Sequence, residues 1–151
     1  MVIIMNDFML AALDEAKAAF SEGEIPVGAV ITENGRIISS AHNMCERLSD
    51  PTAHAEVLAV RSACESLGRK YLDGCEIYVT VEPCPMCAGA IINSRISKLY
   101  FGAFEPLSGA CGSTVNLFLS TDAYKKTDIF MGEYADEARR LMQDFFKTRL
   151  R

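Results

Sequence analysis

The stretch Thr52-Ala53-His54-Ala55-Glu56, followed by Val81-Glu82-Pro83-Cys84-Pro85-Met86-Cys87, decides the interpretation of this chain. It offers one imidazole and two thiols, with a carboxylate two positions after the imidazole. Zinc binds thiolate and imidazole well, and catalytic zinc sites keep three protein ligands and leave the fourth position to water. The three side chains therefore predict a zinc site, and the carboxylate of Glu56 is suited to accept a proton from the water that such a site activates.

Two other interpretations use the same cysteines. Cys-x-x-Cys can be a redox pair, although a redox protein has no use for His54 or Glu56. A closed structural zinc site needs a fourth ligand, which could come from Cys45, Cys64, Cys75, Cys111 or His42. None of these has ligand-like spacing to the others, and the catalytic interpretation is favoured.

Length and composition predict a single domain over residues 1–151. Half of the residues are hydrophobic, 23% are charged, and the net charge is −5. The acidic balance argues against a large non-specific nucleic-acid surface. A chain of this size with metal-like cysteine spacing favours reduced thiols over a disulfide scaffold. No run has the length of a membrane span, and the start lacks a signal-peptide pattern. We therefore expect a soluble cytoplasmic protein.

Hydrophobic periodicity predicts an α/β fold. Asn34-Gly35, between two β-rich runs, predicts a hairpin. Thr52 is expected to cap a helix that ends at Gly68, with an apolar face formed by Val57, Val60, Cys64 and Leu67. Further helices are predicted over 7–23, 85–94 and 133–149, and further strands over 76–81, 98–102 and 129–131. This order predicts a three-layer α/β/α sandwich around a mixed sheet of about five strands.

The sequence leaves open the roles of two residues near the hairpin. Gly28 lies inside a predicted strand, where either a ligand or a packed backbone could require glycine. Asn43 lies in the polar loop before the zinc motif, and its amide can both donate and accept hydrogen bonds.

The chain resembles the cytidine deaminase superfamily and, within it, the bacterial tRNA-specific adenosine deaminases. The H-x-E and P-C-x-x-C pattern is the signature of zinc nucleobase deaminases. The resemblance extends over nearly the whole chain, including the segments at 24–30, 78–90, 101–103 and 144–146.

The resemblance implies a site and a reaction. His54, Cys84 and Cys87 would bind one Zn²⁺ per chain, and Glu56 would move protons. Substrate contacts would come from Asn43, the backbone of Ala55, Val27, Gly28 and Glu105. The reaction would convert adenosine to inosine at the wobble position of a tRNA anticodon loop. A homodimer is also implied.

Other substrates and another class of function remain as alternatives. Leu107 stands where the family typically has lysine, and Tyr124-Lys125-Lys126 replaces an Asn-His-Arg segment. The zinc motifs also resemble bacterial guanine deaminases, so a free nucleobase or nucleoside (guanine, cytosine or adenosine) is the alternative substrate. A catalytically inactive, zinc-stabilised interaction module is the alternative of another class, although it would not need Glu56.

Overall fold

The computed structural model describes residues 7–120 and 126–149. The helices are α1 (Asp7–Ser21), α2 (Cys45–Leu48), α3 (Ala55–Leu67), α4 (Pro85–Asn93) and α5 (Ala135–Arg149), with a 3-10 helix at Leu117–Ser120. The strands are β1 (Gly28–Glu33), β2 (Arg36–His42), β3 (Cys75–Val81), β4 (Lys98–Ala103) and β5 (Asp128–Met131).

The five strands form one mixed sheet in the order β2-β1-β3-β4-β5. Strand β1 is antiparallel to both of its neighbours, while β3, β4 and β5 are parallel. Asn34 and Gly35 both have positive φ, 52° and 74°, which a tight hairpin with a matching twist requires. The predicted mixed sheet and hairpin are confirmed.

Helices cover both faces of the sheet, as predicted. On one face, Ala59 of α3 and Ile91 of α4 pack with Ile31 and Val79 of the strands. On the other face, Met9 and Ala12 of α1 pack on Val30 and Tyr78. Helix α5 joins this second layer through Ala138. Alternating strand residues supply the two cores because successive side chains of a strand point to opposite faces.

The start and the inner face of α3 differ from the prediction. Thr52 does not cap the helix, because its N–H and hydroxyl both donate to Asp50 Oδ1, at 2.8 Å and 2.7 Å. The helix begins three residues later, with His54 as its N-cap residue. Its fully buried apolar residues are the small side chains Ala55, Ala59 and Ala63. The predicted stripe of larger side chains lies at the edges of this contact, where Val60, Cys64 and Leu67 are only partly buried.

The carboxyl ends of three parallel strands meet at one edge of the sheet. Asn43 follows β2, Glu82 follows β3 and Phe104 follows β4. Ligands of open α/β sheets bind at such an edge. Among the described residues, none of the helices combines the length and the apolar composition that crossing a bilayer demands.

Candidate metal centre and active site

The three predicted ligands meet where α3 and α4 begin. His54 is the N-cap residue of α3, Cys84 is the N-cap residue of α4, and Cys87 lies in the first turn of α4. His54 Nδ1 is 3.7 Å from Cys84 Sγ and 3.5 Å from Cys87 Sγ. The positive ends of two helix dipoles therefore point at the same place, which favours thiolate there.

The spacing of these donor atoms fits zinc. With zinc–nitrogen and zinc–sulfur bonds of about 2.1 and 2.3 Å, tetrahedral geometry separates a nitrogen from a sulfur ligand by about 3.6 Å. The two observed separations lie on either side of that value. The Cys84 thiol is also prepared for metal binding, because a hydrogen bond with Cys87 lowers its pKa to about 4, against the opposing effect of burial.

The ligand cluster has three members, which distinguishes the interpretations left open by the sequence. Within residues 7–120 and 126–149, His54, Cys84 and Cys87 form the only group of three or more His, Cys, Asp or Glu donors close enough to share an ion. Cys45, Cys64, Cys75 and Cys111 are free thiols outside it. An open fourth position is typical of catalytic zinc and not of a closed structural site.

Glu56 lies in the first turn of α3, two residues after His54. Its side chain is buried, and burial raises the pKa of its carboxyl group. In the described part of the chain, its Oε1 is the one buried side-chain oxygen or nitrogen without a hydrogen-bond partner. A buried oxygen without a partner is costly, and proteins retain such atoms at catalytic sites. Glu56 is therefore placed to exchange protons with a bound molecule.

These residues open into a cavity of about 480 Å³. His54, Glu56 and Cys84 are among the residues that line it. The volume falls within the usual range for small-molecule sites, roughly 300–1,000 Å³. A nucleoside fits such a space, and a longer polynucleotide would have to enter it with one residue turned out of its stack.

Asn43 is held by the helix that carries Glu56. Its buried side chain lines the cavity, and its Oδ1 accepts a 2.7 Å hydrogen bond from the N–H of Ala55. This bond fixes the amide so that Nδ2 remains to donate to a ligand. The backbone N–H of Ala55 is thus bonded to Asn43, and the predicted contact between the Ala55 backbone and a base stays a prediction.

Val27 and Gly28 have different roles. Val27 lines the cavity. Gly28 does not line it, and a Cβ at this position would lie 1.9 Å from the carbonyl oxygen of Ala12 in α1. The structure thus gives Gly28 a packing role, since β1 needs glycine there to pack closely on α1, and a substrate contact at Gly28 stays a prediction.

The segment after β4 forms another wall. Glu105, Leu107 and Ser108 line the cavity. Glu105 Oε1 accepts a 2.8 Å hydrogen bond from the N–H of Leu107, and the Leu107 residue is 89% exposed. Of the other segment that departs from the family pattern, Tyr124 and Lys125 lie outside the described residues.

Some cavity residues were not predicted from the sequence. The end of α5 contributes Met142, Phe145, Phe146 and Arg149. Their spacing is typical of the apolar stripe and charged face of a packed helix, and no local pattern distinguishes a stripe that also borders a cavity. Arg149 donates to the carbonyl of Gly23 and stacks on the Phe145 ring, 4.8 Å from its centroid. This contact joins the end of α5 to the segment after α1.

The family model for the cytidine and deoxycytidylate deaminase zinc-binding region matches residues 4–103. The match contains all three predicted ligands and Glu56, and so it covers the whole metal centre described above.

Similar proteins include two that cover almost the full chain and one that covers about two thirds of it. The tRNA-specific adenosine deaminase of Aquifex aeolicus is 49% identical over 93% of this chain and 92% of its own length. A structure from a study of A-to-I editing by tRNA:A34 deaminases at the wobble position of transfer RNA is 42% identical, with a TM-score of 0.87, covering 90% of this chain and 99% of that one. The guanine deaminase of Bacillus subtilis is 41% identical, with a TM-score of 0.64, over 68% of this chain and 66% of that one.

Proposed function

The chain belongs to the cytidine and deoxycytidylate deaminase family, and we propose that this member deaminates adenosine to inosine at the wobble position of a tRNA anticodon loop. The observation that carries the proposal is the meeting of His54, Cys84 and Cys87 beside the unpartnered carboxylate oxygen of Glu56. The full-length similarity to tRNA-specific adenosine deaminases supports the choice of substrate. The retained Glu56 argues against an inactive interaction module.

One Zn²⁺ per chain is held by His54 Nδ1, Cys84 Sγ and Cys87 Sγ in this proposal. When bound, zinc lowers the pKa of a coordinated water to about 7 and so supplies a nucleophile at neutral pH. Zinc is the metal that suits a site of two thiolates and one imidazole.

Glu56 carries the protons of the reaction. Adenosine and water give inosine and ammonia, so that a C6–O bond forms and the C6–N6 bond breaks. Oε1 of Glu56 accepts the first proton that the water gives up and transfers it to N1 of the adenine. The second proton of the water passes through the same carboxylate to N6, which leaves as ammonia. A buried carboxylate with a raised pKa is suited to both directions of transfer.

The walls of the cavity bind the nucleoside. Asn43 Nδ2 donates to an acceptor of the adenosine, and Val27 packs against the base. Glu105 contacts the ribose or the neighbouring nucleotide from the opposite wall. Because these groups lie on three different segments, they orient the base before proton transfer begins.

Ammonia release tests the substrate. The purified zinc-loaded protein is offered, in parallel, an anticodon stem-loop with adenosine at the wobble position, free guanine, free cytosine and free adenosine. Turnover of the stem-loop alone is the expected result. Turnover of a free base or nucleoside without the stem-loop would contradict the tRNA substrate and retain the zinc chemistry.

A homodimer and a cytoplasmic location complete the proposal. Exposed apolar side chains of the elements beside the site, Leu48 of α2 and Met86 of α4, provide surface that a second copy could cover. Light scattering on the purified protein should give twice the chain mass of 16.6 kDa, and a monomer at micromolar concentration would contradict the dimer. A tRNA substrate favours the cytoplasm.

A further inference from the structure

Glu82 is a buried acid that the reaction does not use. It follows the last residue of β3 and comes two residues before the ligand Cys84. Its side chain is 3% exposed. A buried carboxylate is unfavourable unless its oxygens are hydrogen-bonded, and so its partners indicate its role.

Both oxygens of Glu82 accept hydrogen bonds from one segment of chain. Oε1 accepts from the N–H of Glu105 at 3.0 Å and from the hydroxyl of Ser113. Oε2 accepts from the N–H groups of Cys111 and Ser113, at 2.9 and 3.1 Å. Burial raises the pKa of Glu82, but these four bonds lower it by more, and the pKa lies below its usual value. All four partners are donors, so both oxygens of Glu82 act as acceptors, as those of a carboxylate do, and such bonds are of the stronger, charge-assisted kind.

The segment bound by Glu82 is the cavity wall formed by residues 104–113, here called the wall loop. It carries Glu105, Leu107 and Ser108. It also approaches the carboxylate so closely that a Cβ at Gly109 would lie 2.3 Å from the carboxyl carbon of Glu82. The N–H of Ala110 donates to the carbonyl of Pro83 at 2.8 Å. The wall loop thus wraps around the residues that lead into the metal-ligand turn.

We propose that Glu82 is a positioning residue for the deamination, which fixes the wall loop relative to the metal centre and so determines how tightly the RNA loop binds. The inference rests on the function proposed above. Glu82 acts through the wall loop and has no part in proton transfer, because its four bonds are all made to that loop.

The substitution Glu82→Gln tests this proposal with little change of volume. In glutamine, an NH₂ group replaces one carboxylate oxygen. This group cannot accept a hydrogen bond from the N–H and O–H donors of the wall loop, so at least one of the four bonds would be lost. We expect KM for the anticodon stem-loop to rise about 10-fold, which corresponds to the loss of about one hydrogen bond to a charged group, while kcat changes less than about 3-fold. The control is Glu65→Gln, an exposed residue of α3, which should change neither constant.

The substitution Gly109→Ala reaches the same contact from the other side. Its added Cβ would collide with the carboxylate and should also raise KM. The shorter side chain of Glu82→Asp makes room for this Cβ, so the double variant should bind the stem-loop better than Gly109→Ala alone. Additive losses in KM would contradict the proposed contact. This pair also provides the test if Glu82→Gln does not fold.

Amide hydrogen exchange separates this proposal from the proposed function. In zinc-loaded Glu82→Gln, at least one of the amides of Glu105, Cys111 and Ser113 should exchange about 10-fold faster, with zinc content unchanged. Faster exchange in a protein that does not deaminate the stem-loop would support the anchor and reject the proposed substrate. Unchanged exchange at all three amides, or a loss confined to kcat, would overturn the role of Glu82.

Discussion

Replacing Glu56 by glutamine should remove catalysis and leave the metal in place. The substitution keeps the volume of the side chain and removes the oxygen that carries protons. Because zinc is held by His54, Cys84 and Cys87, Glu56→Gln should bind one equivalent of zinc. Oε1 of Glu56 has no hydrogen-bond partner to lose, so the melting temperature should not fall.

The size of the effect follows from the task given to this carboxylate. A positioned general acid–base contributes about 10²- to 10⁴-fold to a rate. At about 1.4 kcal/mol for each factor of ten, this corresponds to about 3–5 kcal/mol of transition-state stabilisation. The loss should appear in kcat, because the same oxygen acts in both proton transfers, while KM should change little.

The assay is single-turnover conversion of the stem-loop, with zinc measured by mass spectrometry in the same preparation. Glu56→Asp is the matched variant, since it keeps the charge and withdraws the carboxylate by about one carbon–carbon bond. It should retain more activity than Glu56→Gln. If Glu56→Gln kept more than a tenth of the wild-type rate, or lost its zinc, the assignment of Glu56 as a proton carrier outside the ligand set would be refuted.

Three further predictions concern the metal, the packing of the sheet and pH. Cys87→Ala should release the metal and lower the melting temperature, because a ligand is lost where binding is coupled to folding; full zinc retention would contradict the ligand assignment. Gly28→Ala should reduce the free energy of unfolding by about 1–3 kcal/mol, because its Cβ would collide with Ala12. Gly89→Ala, in an open helical position, should raise the free energy of unfolding by about 0.5–1 kcal/mol. Urea titration measures both variants, and equal effects would contradict the close packing at Gly28. Burial lowers the pKa of His42, but its hydrogen bonds with Glu15 and Glu22 raise it by more, and the pKa lies above 6.5. The stability that wild type has over His42→Gln should thus be complete below pH 6.5 and disappear as pH rises through the folded-state pKa; a difference that grew with pH would have the wrong sign.

The metal centre could be predicted from the sequence because its signals are local. His54 and Glu56 are two residues apart, and Cys84 and Cys87 are three apart on one turn of helix. Residues so close in sequence lie close together in space regardless of how the rest of the chain folds. The hairpin at Asn34-Gly35 was predictable for the same reason, since two consecutive residues determine its geometry.

Contacts between distant segments could not be predicted in this way. Glu82 binds amides 23 to 31 residues further along the chain, and nothing in its own neighbourhood indicates those partners. The predicted start of α3 at Thr52 was wrong because the Thr52 hydroxyl and N–H both bond to Asp50, and helix propensity alone does not predict that competing contact. Gly28 could have approached either a ligand or a helix, and only the position of α1 distinguishes the two.

The most direct test of wobble-specific deamination is the position of the product within the RNA. A stem-loop carrying adenosine at the wobble position and at a second loop position is treated with the zinc-loaded protein, and inosine is located by reverse transcription, which reads it as guanosine. We expect inosine at the wobble position alone, formed by wild type and absent with Glu56→Gln. Inosine at both positions, at the second position only, or at equal levels with Glu56→Gln would contradict the proposed function.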